Sequence, residues 1–134
     1  MSKYYEKAVE LRKITDPHYN CAQSTVLPFA EDAGMSDDVV LRMTANFGQG
    51  MKRAATCGAV AGGLMILGMY GEESPAVVGE FYRRVKEKHE GYLDCANLLR
   101  MNKEKGGERK PHCDAMVYEC VQLVEEILRE QGKM

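Results

Sequence analysis

The chain has 134 residues with a formal net charge of −2, and 45% of them are hydrophobic and 28% charged. That length and balance suit one domain over residues 1–134, with a core that needs no covalent staples. The basic residues are dispersed, which excludes a nucleic-acid footprint. Tryptophan is absent, and the nine methionines read as adaptable core filler.

The opening run Met1-Ser2-Lys3-Tyr4-Tyr5-Glu6 carries no apolar signal region and no paired arginines, so a cytoplasmic location is expected. Tyr4, Tyr5, Ala8, Val9 and Leu11 then form an amphipathic first helix that ends before Asp16-Pro17. A second helix is predicted from about Asn20 to Ala33, with Ala22, Val26, Phe29, Ala30 and Ala33 on one face and Gly34 as its stop. Pro28 inside it removes the bond to Ser24 and bends it. Ser36 caps a third helix with Asp37 and Asp38 in its first turn and Val40, Met43 and Phe47 facing inward.

Gly48 to Arg53 reads as a loop leading to a Gly-rich helix over about 56–70. From Ala54 to Gly71 no residue is charged, a length at the lower edge of a membrane span. Its glycines, Thr56, Cys57 and Tyr70 favour a buried central helix instead, in which Gly58 and Gly62 let a neighbour approach closely. Ser74-Pro75 starts the next helix, which buries Val78, Phe81, Tyr82, Val85 and His89 and stops at Gly91. Asp94 caps a short helix from Cys95 to Met101. Lys103 to Lys110 reads as a solvated loop without function. Pro111 opens a last helix whose stripe is Cys113, Met116, Val117, Cys120, Val121, Val124, Ile127 and Leu128. No strand alternation or internal repeat is visible, so the predicted fold is all-α: a compact bundle of six to seven helices around the Gly-rich one.

The five cysteines carry the functional signal. In a reducing compartment they are more often catalytic, redox-sensing or metal-binding than structural. No CxxC occurs, which removes zinc-ribbon and thioredoxin-type motifs. Cys21, Cys57, Cys95 and Cys113 each fall in the first turn of a predicted helix, where free N–H groups and the macrodipole favour a thiolate. With Lys52 and Arg53 just upstream, Cys57 is expected to be the most reactive thiol. The competing reading of each is a small buried hydrophobe, and Cys120, one face deeper in the last helix, takes that reading. His112 beside Cys113 offers a pKa effect or a further ligand. Neither Gly48-x-Gly50 nor Gly58 to Gly63 forms a phosphate loop, since no strand precedes them.

In order along the chain stand Asn20-Cys21-Ala22-Gln23, Phe47-Gly48-Gln49-Gly50-Met51 and Cys57-Gly58-Ala59-Val60-Ala61-Gly62. Leu67-Gly68, Tyr70-Gly71, Cys95 with Leu98-Leu99, and Cys113 follow. This sequence resembles the redox-active protein family named for its C, GCAxxG, C, C pattern, whose central signature here is CGAxxG. The resemblance implies four signature cysteines, Cys21, Cys57, Cys95 and Cys113, as catalytic, cofactor-binding or metal-binding residues. Two mechanisms follow: thiol–disulfide exchange, or electron transfer through an iron–sulfur cluster held by the four thiolates. The alternatives are a structural zinc site and a non-catalytic interaction module with buried cysteines. The expected partners are a redox protein or a small redox substrate, with a homodimer left open.

Overall fold

The computed structural model describes residues 2–134; Met1, part of the opening run, lies outside them. Seven α-helices run through the described residues: α1 (Lys3–Lys13), α2 (Cys21–Val26), α3 (Asp37–Thr44), α4 (Gly58–Met69), α5 (Pro75–Lys88), α6 (Cys95–Glu104) and α7 (Arg109–Glu130). No named strand occurs among them, and no helix is long and apolar enough to cross a membrane. The chain is an all-α bundle.

Local chemistry explains most boundaries. Ser2, Ser36 and Ser74 accept from the backbone N–H groups of Tyr5, Val39 and Val77, capping α1, α3 and α5. Asn20 and Gln23 form a reciprocal capping box at the start of α2, with bonds of 2.8 and 3.0 Å.

Three expectations are corrected. The second helix is not one bent rod to Ala33: α2 ends at Val26 and tightens into a 3₁₀ turn over Leu27–Phe29. Pro28, having no N–H to donate, stops the α-helical ladder there. Met43 points outward and is 56% exposed, while Val40 and Thr44 form the buried side of α3. The last helix begins at Arg109 rather than Pro111, so Arg109 and Lys110 belong to its first turn. Pro tolerates that placement because the first turn has unpaired N–H groups in any case.

α4 is apolar all round, the composition of a helix surrounded by others, and it packs against both α2 and α7. Gly62 makes the α2 contact close: a Cβ there would stand 3.0 Å from the Thr25 Cβ and 3.2 Å from the Val26 Cγ2. Gly63 leaves room in the same way for the Phe81 ring of α5. The α7 stripe is buried from Met116 through Leu128, with Cys120 fully enclosed and no sulfur partner assigned to it.

Candidate functional site

All five cysteines are free thiols. Cys21 is the first residue of α2, Cys57 the N-cap of α4, and Cys95 the first residue of α6. Cys113 lies two residues further into its helix than expected, because α7 starts at Arg109. The four line one small cavity of about 30 Å³, with Leu98, Leu99 and Met116 as its apolar wall.

Close backbone approaches bring them there. A Cβ on Gly58 would stand 3.2 Å from the Cys21 Cβ and 2.8 Å from the Phe47 carbonyl oxygen, so glycine beside Cys57 admits Cys21. A Cβ on Gly50 would lie 2.9 Å from the Cys95 Cβ, and one on Gly48 would strike the Asn20 side chain at 2.6 Å. The glycines of both motifs are therefore the clearance for two of the cysteines and for the α2 cap. The remaining approach is a short antiparallel bridge, Thr56 to Asp94. In it the Cys57 N–H donates to the Leu93 carbonyl at 2.9 Å and the Cys95 N–H to the Ala55 carbonyl at 2.7 Å. This bridge sets the starts of α4 and α6 side by side.

The predicted Gly48–Arg53 loop is a left-handed turn. Gln49, Met51 and Lys52 have φ of 54°, 59° and 58°, around Gly50 at 61°. Each non-glycine residue in that region costs about 1–2 kcal/mol. Runs of such residues persist where their surroundings over-determine them, and they gather at functional sites.

Electrostatics divides the four thiols. The neighbouring Cys21 thiol, with Arg109 and Arg12, brings Cys113 down to about 6 against the burial that opposes it. The same contact and burial push Cys21 strongly up. The two behave as one thiol–thiolate pair holding a single proton at neutral pH. Burial pushes Cys57 up to about 11, although the N–H groups of Ala59 and Val60 favour its thiolate. Cys95 is raised by burial and by the charge of Cys113. Burial keeps Cys120 protonated.

Cys57 is thus not the low-pKa thiol that its helix start suggested, and Cys113 is. Lys52 does not serve Cys57: its ammonium sits 2.9 Å from Asn46 Oδ1 and lines a neighbouring cleft, and Arg53 is exposed. His112 lines the inner cavity and is lowered by burial and by His89.

Sequence reasoning missed Arg12, Arg109 and Lys110. Arg12 is only 7% exposed, with Nε 2.7 Å from Asp114 Oδ1 and a second nitrogen 3.0 Å from the Tyr19 carbonyl. Its signal was present: Tyr4, Ala8 and Arg12 recur at i, i+4 and i+8, so an arginine interrupts the buried face of α1. Arg109 and Lys110 were hidden by the assumption that Pro111 opens its helix.

An iron–sulfur cluster or a zinc ion would need three or four of these donors to converge. Among the described residues, no three His, Cys, Asp or Glu side chains group closely enough to hold a metal ion. The 30 Å³ cavity is about one water's share of liquid volume. As arranged, the four thiols do not form a metal-binding group.

A helical bundle that brings four cysteines to one cavity, three of them at helix starts, defines a thiol-bearing all-α protein. Residues 19–127 match the family described as "putative redox-active protein (C_GCAxxG_C_C)", and the chain belongs to that family. No curated protein and no solved structure matches it.

Proposed function

We propose that the protein carries out thiol–disulfide exchange, with Cys113 as the attacking thiolate and Cys21 as the resolving thiol. The observation that carries this reading is that Cys21 and Cys113 together line both the cysteine cavity and the open cleft beside it, with the Cys113 thiol lowered by its Cys21 and arginine neighbours. The thiolate is the nucleophile, and a thiol with pKa near the ambient pH attacks most effectively.

The Cys113 thiolate attacks one sulfur of a substrate disulfide, the S–S bond breaks, and one substrate thiolate leaves. Cys21 gives its proton to that leaving thiolate and attacks the Cys113 sulfur, expelling the second substrate thiolate. The products are a Cys21–Cys113 disulfide, one substrate thiol and one substrate thiolate that takes its proton from solvent, so two electrons pass to the substrate. A dithiol reductant, protein or small molecule, returns the pair to its reduced state. Cys57 and Cys95 remain thiols in this scheme and form the inner wall of the site.

Reduced protein exposed briefly to bis(hydroxyethyl) disulfide, then alkylated and mapped by mass spectrometry, should show Cys21 linked to Cys113. Anaerobically purified protein with stoichiometric iron and acid-labile sulfide, or zinc, and with all four cysteines protected from alkylation, would overturn the reading.

A further inference from the structure

A second, open cleft of about 420 Å³ adjoins the cysteine cavity. Cys21, Gln49, Arg109 and Cys113 line both spaces, so the thiol pair is the wall between them. The volume falls in the range of small-molecule sites, about 300–1,000 Å³. Arg12, His18, Lys52, Arg109 and Lys110 line the cleft, and none of its lining residues is acidic.

Those cations are only partly neutralised. Asp114 is shared by Arg12 and by Lys110, whose Nζ lies 3.1 Å from Oδ2. Lys52 meets only the neutral amide oxygen of Asn46. Arg109 faces the Cys113 sulfur. Four permanent cations therefore stand against one carboxylate and one thiolate, which leaves two positive charges. The protein as a whole carries −2, so this excess is local to the mouth of the site. The left-handed turn at Gln49–Lys52 is the element that holds Lys52 over it.

We infer that the cleft binds a small disulfide bearing two negative charges, whose anionic ends rest on Lys52, Arg109 and Lys110 while its sulfurs meet Cys113. The inference rests on the thiol–disulfide reading and adds the substrate class. It explains how a thiolate receives an anionic disulfide that it would otherwise repel. The two-electron exchange is the one described above: the disulfide is cleaved to two anionic thiols as Cys21 and Cys113 join.

Three probes of similar size test it: dithiodiglycolate (dianionic), bis(hydroxyethyl) disulfide (neutral) and cystamine (dicationic). Each second-order rate of Cys21–Cys113 oxidation is divided by that probe's rate with free mercaptoethanol, which removes intrinsic reactivity. The dianion's normalised rate should exceed the neutral one by at least about tenfold at low salt, the lower end of electrostatic steering. Salt at about 0.5 M should collapse that ratio, and Lys52→Gln, at an exposed position, should lower it. Equal normalised rates, or cystamine the fastest, overturn the inference and leave the exchange reading standing. If no probe produces the Cys21–Cys113 disulfide, the exchange reading fails and takes the inference with it.

Discussion

The cavity has an outer pair of cysteines, Cys21 and Cys113, and an inner pair, Cys57 and Cys95. Three of these four occupy a helix start, yet the ionised sulfur is the fourth, Cys113, one turn inside α7. A helix terminus stabilises a charge by about 0.3–1 kcal/mol, less than the 1.36 kcal/mol of one pKa unit. Burial moves a group by as much as 3–5 units. Cys57 has the helix end but is nearly enclosed, and it rises to about 11; Cys113 is half-buried, has two guanidinium groups and the Cys21 thiol as neighbours, and falls to about 6. Neighbours and solvent access decide which cysteine is reactive here, and the helix start supplies only position.

The strongest test of that contrast is labelling order. At pH 7 a thiol of pKa about 6 is mostly ionised, while one of pKa about 11 is ionised at roughly one part in ten thousand. The more basic thiolate is intrinsically more nucleophilic, which recovers about two of those four decades. Cys113 should therefore be alkylated roughly a hundredfold faster than Cys57 or more, with a rate that rises through about pH 6. Time-resolved peptide mapping checks this. Cys57 labelling first would reverse the roles assigned to the two pairs.

The same contrast predicts a pH profile of stability. Between about 6 and 9 the unfolded chain binds a proton at Cys113 that the folded chain does not, so stability rises with pH. Above 9 the sign reverses, because the raised thiols Cys21, Cys57, Cys95 and Cys120 are protonated when folded and ionised when unfolded, with Cys57 pushed up to about 11. The Cys57 contribution, present below 9, is lost by about 11 and amounts to about 2–3 kcal/mol. Chemical denaturation across pH 6–11 should show this rise and fall, and Cys57→Ala should make the alkaline limb shallower, the other raised thiols keeping the rest of its slope. An unchanged slope in that variant would mean that Cys57 is not the enclosed thiol described.

How much of this was legible follows from the kind of signal each residue leaves. The α7 stripe, the starts at Ser36 and Ser74 and the all-α class are local patterns, and periodicity and capping residues carry them. The Gly48, Gly50, Gly58 and Gly62 clearances are visible as glycines, but what they clear is known only once α2, α4 and α6 are packed. The Cys21–Cys113 pairing joins residues far apart in the chain, and no spacing rule predicts which of the two thiols is lowered. Arg12 was readable as a charge on an apolar face. Arg109 was lost to a boundary error of two residues at Pro111, a region where helix starts are least determined by sequence.

Gly62→Leu acts on the contact that holds the outer pair against α4. Its Cβ has 3.0 Å to Thr25, so the added side chain overpacks α2 against α4 by roughly 1–3 kcal/mol. Thermal melts should shift downward accordingly. The outer pair should also lose its definition, seen as a Cys113 labelling midpoint displaced towards that of an ordinary thiol, near 9. A variant that melts and titrates like the parent would show that α2 does not lean on α4 at this glycine.

The smallest effect concerns the turn that lies between the cleft and the inner pair. Met51 is exposed at 39% and sits at φ 59°, ψ 36°, a conformation that costs an ordinary side chain about 1–2 kcal/mol and glycine almost nothing. Glycine also loses more backbone freedom on folding, which takes back part of the gain. Met51→Gly should therefore stabilise the protein by about 1 kcal/mol, read as an increase in the denaturant midpoint without a change in slope. Because the Met51 side chain does not line the cleft or the cavity, the Cys113 titration should stay near 6. A lower midpoint would place Met51 in an ordinary backbone region and remove the left-handed turn as the support for Lys52. A higher midpoint with an altered Cys113 titration would instead show that the turn's rigidity, and not only its course, sets the charge on the outer pair.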